Sequence, residues 1–117
     1  MKSAIRGVLG LLSGMALALS SADAAEMVGY RLVSMVGCHH TNGTCYVQLD
    51  GAAFGTTTGC TISSTNEFRF DDGDTAIGRR SYASLLTAYL TKKHVSVNLN
   101  GCTGQGYPKL DYFQVMD

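Results

Sequence analysis

Four cysteines, Cys38, Cys45, Cys60 and Cys102, are the most reactive side chains of this 117-residue chain. Two of them bracket His39 and His40, and sulfur and imidazole ligands at such spacing could hold zinc. That chemistry needs thiolates, which are lost if the cysteines are oxidised. Asp71-Asp72-Gly73-Asp74 offers oxygen ligands of the kind that open a calcium loop. The twelve-residue pattern with its closing glutamate is absent, so a solvated turn is expected. Serine, histidine and aspartate are all present, but no G-x-S-x-G elbow holds a nucleophile, and no histidine stands in a catalytic context. The chain is therefore not read as an enzyme, and neither a metal nor a cofactor is expected.

The redox state of the cysteines depends on the compartment. Lys2 and Arg6 form a short basic stretch, an apolar run follows from Gly7 to about Leu19, and Ala22-Asp23-Ala24 supplies small residues at A-x-A spacing. This is the pattern of a secretory signal peptide over residues 1–25, cut after Ala24 or Ala25. It leaves one domain over residues 26–117, exported to the periplasm or the outside of the cell. The apolar run is short for ~30 Å of hydrocarbon, and no other stretch could insert into a membrane. In an exported small domain an even cysteine count reads as a disulfide framework of two bonds. Nine basic and nine acidic residues become seven and eight once Lys2, Arg6 and Asp23 are removed, a net charge of about −1. A nucleic-acid partner, which needs a basic footprint, is not expected.

The elements that must position these residues can be placed by periodicity. Gly29 to Val36 and Cys45 to Leu49 read as strands around the turn signal Asn42-Gly43, so Cys38 and Cys45 flank one hairpin and are favoured as a pair. Asn42-Gly43-Thr44 has the form of a glycosylation sequon but is read as a turn. Gly51 to Gly59 is a Gly/Thr-rich loop. Thr61 to Phe70 reads as a third strand, with Phe68 and Phe70 opposite Glu67 and Arg69. Ala76 to Lys93 is the helix, with Tyr82, Leu85, Leu86, Tyr89 and Leu90 on one face, and Arg80, Ser84, Thr87 and Thr91 on the other. Lys92, Lys93 and His94 close it. Val95, Val97 and Leu99 alternate in a fourth strand, and Tyr107 to Met116 forms a fifth, with Pro108 at its start. The chain is mainly β with one helix. The order β-β-β-α-β-β is that of an OB-fold-like five-stranded barrel.

The second half, from Thr58 to Val115, resembles a group of small exported bacterial proteins, mostly uncharacterised. The resemblance rests on Gly59-Cys60, Phe68-Arg69-Phe70, Leu85 to Tyr89, Lys92-Lys93-His94-Val95 and Gly101-Cys102. It implies that Cys60 pairs with Cys102. More distantly, the layout is similar to the B subunits of subtilase-cytotoxin-like and pertussis-like AB5 toxins. Those are OB-fold domains that form pentameric rings and bind cell-surface glycans. None of their sugar-contacting residues can be matched to a position here. The Cys45-to-Cys60 spacing resembles one of their disulfide loops, which implies Cys45–Cys60 with Cys38–Cys102. Both connectivities stand at this point. The toxin resemblance also implies a homo-oligomeric ring, lined by the weakly charged helix face.

Tyr30, Tyr46, Tyr107 and Tyr112 lie on or beside strands and are the best binding material, because tyrosine joins an apolar face to a polar tip. The alternative is that most of them fill the barrel. The function expected is a non-enzymatic binding domain for a glycan or another protein. An inhibitor or immunity-type protein of the periplasm, working by protein–protein contact, is the second expectation.

Overall fold

The structure, a computed structural model, describes residues 25–117. The signal-peptide reading therefore lies outside the described residues, apart from Ala25. Five strands and one helix follow in the order β1 (Ala25–Cys38), β2 (Cys45–Leu49), β3 (Glu67–Phe70), α1 (Ala76–Thr91), β4 (His94–Cys102) and β5 (Pro108–Met116). The strands close in the cyclic order β1-β2-β3-β5-β4. All pairs are antiparallel except β3 with β5, which is parallel. This is the OB-like barrel with its helix between the third and fourth strands. The disulfides are Cys38–Cys45 and Cys60–Cys102, and no cysteine is free. The pairing that the hairpin and the exported-protein resemblance favour is thus the one found. The toxin-like alternative is not.

The core follows from alternation. Val47, Phe68, Val95, Val97 and Leu99 are fully buried, each on the inward side of its strand, and Leu85 enters from the helix. One face of α1 seals the barrel with Gly78, Leu85 and Ala88, while Tyr89 and Leu90 stay exposed. The apolar helix face is thus narrower than its sequence suggests. Thr75 caps the helix by accepting from the Gly78 N–H at 3.1 Å. Lys92 ends it in the left-handed region with φ 60°, so His94 belongs to β4 rather than to the helix terminus.

β1 and β3 depart most from their expected bounds, and β4 runs on through Gly101 and Cys102, which read as a turn. β1 is far longer, because it serves both sheets: Ala25 to Leu32 pairs with β4, and Val33 to Cys38 pairs with β2. A bulge between Val28 and Arg31, with Tyr30 at φ 61°, turns it from one sheet to the other. β3 is shorter than Thr61–Phe70. The Thr65 hydroxyl accepts from the Glu67 N–H at 3.0 Å, and the Asn66 amide donates to Leu49 O and Gly51 O at 3.1 and 2.9 Å. Such local side-chain bonds replace the ladder there.

Glu26 ties the long β2–β3 loop to β1. Its carboxylate accepts from the Gly55 N–H, the Thr57 N–H and the Thr57 hydroxyl at 2.8–3.1 Å. Partial burial works to raise its pKa, but the three donors outweigh it and hold the carboxyl below the ordinary glutamate value. A folded pKa below the unfolded one contributes stability that is complete above the unfolded value, ~4.3, and is lost as the pH falls through the folded one. Glu26→Gln is therefore expected to flatten the acid limb of the stability profile and to cost about 1 kcal/mol at neutral pH. Urea melts of both proteins at several acidic pH values would show it. Parallel acid limbs would refute the assignment.

Candidate functional site

The alternation that buries Val47 and Phe68 sends their neighbours outward. Tyr46 and Gln48 project from β2, and Glu67 and Arg69 from β3. The β2–β3 register sets Tyr46 against Arg69 and Gln48 against Glu67. Tyr107 reaches the same face from the turn before β5. That turn is fixed by Thr103, whose N–H donates to Tyr107 O at 2.9 Å, and by Gly106 at φ 85°.

These side chains form one stack. The Arg69 guanidinium lies 3.7 Å from the Tyr107 ring centroid and 5.8 Å from that of Tyr46. The His39 ring is tilted against Tyr46 at 5.6 Å. Each cation–π contact contributes ~0.5–1 kcal/mol and, more usefully, holds the planes in place. Arg69 Nε donates to the Glu67 carboxylate at 2.7 Å, and the Gln48 amide donates to the same carboxylate at 3.1 Å. The charge of Arg69 is thereby balanced within the face. A side chain at position 37 would have its Cβ 2.7 Å from the Tyr46 hydroxyl, so the ring covers bare backbone at Gly37 on the neighbouring strand. Glycine is required there for the ring to lie flat.

Asp71 braces the two loops that border this face. Its carboxylate accepts from the Thr44 hydroxyl in the β1–β2 loop at 2.9 Å and from the Gly104 N–H in the β4–β5 turn at 3.0 Å. Gly73 N–H donates to Gly43 O at 2.7 Å, which fastens the same region. The aspartate turn is thus a structural joint between loops. Among the described residues, no group of three or more His, Cys, Asp or Glu side chains could hold a metal ion. Cys38 and Cys45 are consumed by their disulfide, which removes the thiolates from the His39-His40 segment. Among the described residues, no helix is long and apolar enough to cross a membrane.

The four tyrosines singled out by sequence divide into two pairs, and none of them is in the core. Tyr46 and Tyr107 join the stack. Tyr30 and Tyr112 lie on the other sheet, more than half exposed. Tyr30 stacks on His94 with centroids 4.0 Å apart, and its hydroxyl donates to Asp117 O. Tyr112 sits opposite Asn98 on β4. Sequence reasoning missed Arg69, Gln48 and Glu67 as site residues. Their signal was the outward phase of β2 and β3.

Chemically, the stack offers flat apolar faces edged by amide and hydroxyl groups. Its carboxylate, Glu67, is engaged by Arg69 and Gln48. Neither a protein family, nor a curated protein, nor a solved structure matches the chain.

Proposed function

We propose that the domain is an exported, non-enzymatic binding module that takes a glycan on the His39–Tyr46–Arg69–Tyr107 face. The observation that carries this reading is the guanidinium held between two tyrosine rings on the outward side of β2 and β3. OB barrels bind oligosaccharides and oligonucleotides with this strand pair and with the loops at its ends. Rigid planar groups stack on sugar rings at low entropic cost, while Gln105, exposed beside Arg69 with its amide oxygen 3.5 Å from Arg69 Nη1, presents an amide to hydroxyls. The balanced charge of the face and of the whole domain favours a sugar over a nucleic acid.

A glycan array probed with the mature protein in multivalent form tests the reading. Binding should be lost at least tenfold in Tyr107→Ala, while Tyr112→Ala, on the other sheet, should retain it. Absence of binding to any glycan would shift the weight to the second reading, an inhibitor or immunity-type protein. What favours that reading is the other sheet, where Met27, Tyr30 and Tyr112 are all exposed.

A further inference from the structure

Resting on the glycan reading of the stack, we propose that Gln105 is its specificity-determining residue, and that the sugar it selects is an uncharged one, read through two neighbouring hydroxyl groups. Gln105 is exposed in the β4–β5 turn, just before Gly106 and Tyr107, yet both ends of its amide have partners. Arg69 Nη1 lies 3.5 Å from its Oε1, and its Nε2 lies 3.5 Å from the Thr44 hydroxyl. A glutamine amide can often be turned over, because its oxygen and nitrogen are alike in shape. Here the sense is fixed from both sides. A guanidinium only donates, so the amide oxygen must face Arg69. Thr44 is buried, and its hydroxyl gives its single proton to the Asp71 carboxylate at 2.9 Å. Only lone pairs are left on that hydroxyl, so the amide nitrogen must face it. Asp71 is itself held by the Gly104 N–H at 3.0 Å, in the same turn as Gln105.

Each partner takes up one site of the amide. One N–H and one oxygen lone pair of Gln105 remain, side by side, next to the guanidinium and rings on which a sugar would stack. Two neighbouring hydroxyls meet this pair: one accepts from the N–H, and the other donates to the oxygen. A lone hydroxyl satisfies only one of the two. The charges around Gln105 select a neutral sugar. Arg69 is the cation beside it, and its Nε already lies 2.7 Å from the Glu67 carboxylate. A sugar carboxylate arriving at Arg69 would meet Glu67 as well, and like charges repel at such range. Lys109 is the register partner of Arg69 on β5, but its side chain turns toward β4. Its Cε lies 3.8 Å from the place a Cβ on Gly101 would take.

Biolayer interferometry of the mature protein against albumin carrying glucose, galactose, mannose or glucuronic acid at equal density tests this. The expected result is binding of a neutral sugar, about tenfold tighter than that of glucuronic acid. Gln105→Leu keeps the size of the side chain and should lose about tenfold of that binding. Gln105→Glu keeps an acceptor but no donor and should lose as much. O-methylation of either of two neighbouring hydroxyls of the bound sugar should weaken the parent protein about tenfold and Gln105→Leu hardly at all. Thr44→Val, which removes the group that orients the amide, should weaken binding, and Thr44→Ser should restore it. A sugar whose binding falls in Tyr107→Ala but not in Gln105→Leu would leave the glycan reading standing and overturn the role of Gln105. A preference for glucuronic acid would overturn the neutral class. Binding of no sugar, on albumin or on the array, would overturn both readings together.

Discussion

Replacing Cys60 and Cys102 together by alanine is expected to lower the stability of the domain by about 3 kcal/mol, more than replacing Cys38 and Cys45. The two bonds close very different loops, with sequence separations of 42 and 7. Chain entropy alone assigns ~4 kcal/mol to the long closure and ~2.5 kcal/mol to the short one, with some loss expected from residual structure in the denatured state. At Cys60 the long bond also stands where no strand pairing supports the chain, whereas Cys102 pairs with Pro108. It joins the irregular β2–β3 loop to the end of β4, and the nearest reinforcement is the Ile62 N–H donating to Gly106 O at 2.9 Å. The short bond repeats a connection that the β1–β2 ladder already makes, since Cys38 and Cys45 are register partners. Urea unfolding of both double variants gives the comparison. The midpoint should fall further for the Cys60/Cys102 pair. An equal or reversed order would show that closure entropy does not govern. The same variant should loosen the Thr103–Tyr107 turn, so its near-ultraviolet tyrosine signal should shrink as Tyr107 leaves Arg69.

That ranking explains which parts of the fold were legible in the sequence. Where one face is buried and the other wet, as in Cys45 to Leu49 and Val95 to Leu99, the two-residue period is explicit and the strands fall as expected. Helix α1 is legible through its 3.6-residue period, while its Thr75 cap emerges only in the structure. The first half of β1 is not, because its course depends on groups distant in sequence. Glu26 holds the β2–β3 loop, Arg31 donates to Asp50 O and Ala52 O at 2.6 and 2.9 Å, and Tyr30 adopts a left-handed backbone to place a bulge. Thr61 to Asn66 misleads in the opposite sense. Its residues suit a strand by composition, yet their hydroxyl and amide groups bond locally and end the ladder.

The candidate site shows the same division. Outward phases of Tyr46, Gln48, Glu67 and Arg69 follow from the inward Val47 and Phe68, so four of its residues were implicit once the strands were placed. The stack itself was not implicit. It requires the β2–β3 register, which is a relation between strands, and it requires Tyr107, which is delivered by a glycine turn held by Asp71 at the end of the neighbouring strand β3. Residue type alone ranked Tyr30 and Tyr112 equally with Tyr46 and Tyr107. Only the closure of the barrel in the order β1-β2-β3-β5-β4 assigns the pairs to different sheets.

Gly78→Ala is expected to destabilise the domain by about 2 kcal/mol, although it places a better helix former in a helix. Propensity favours alanine over glycine by about 1 kcal/mol in a helix interior. Sterics oppose it more strongly. A Cβ at position 78 would lie 1.9 Å from the carbonyl oxygen of Asp72 and 2.7 Å from Gly73 Cα, both backbone atoms. The Asp72 carbonyl cannot retreat freely, because it accepts from the Thr75 N–H at 2.9 Å and the Thr75 hydroxyl at 2.7 Å. Nor can the helix move outward without losing its cap, since the Gly78 N–H donates to that same hydroxyl. Overpacking costs ~1–3 kcal/mol, and a lost cap costs ~1 kcal/mol more. The sum exceeds the propensity gain by roughly 2 kcal/mol, or on the order of 10 °C in Tm for a domain of this size. Ser84→Ala, on the exposed face of the same helix, gains propensity without a clash and should leave Tm unchanged or slightly raised. Calorimetry of the two variants separates the effects. A Gly78→Ala protein as stable as the parent would mean that the Asp72–Thr75 turn yields at little cost, and the close seating of α1 on the aspartate turn would have to be abandoned.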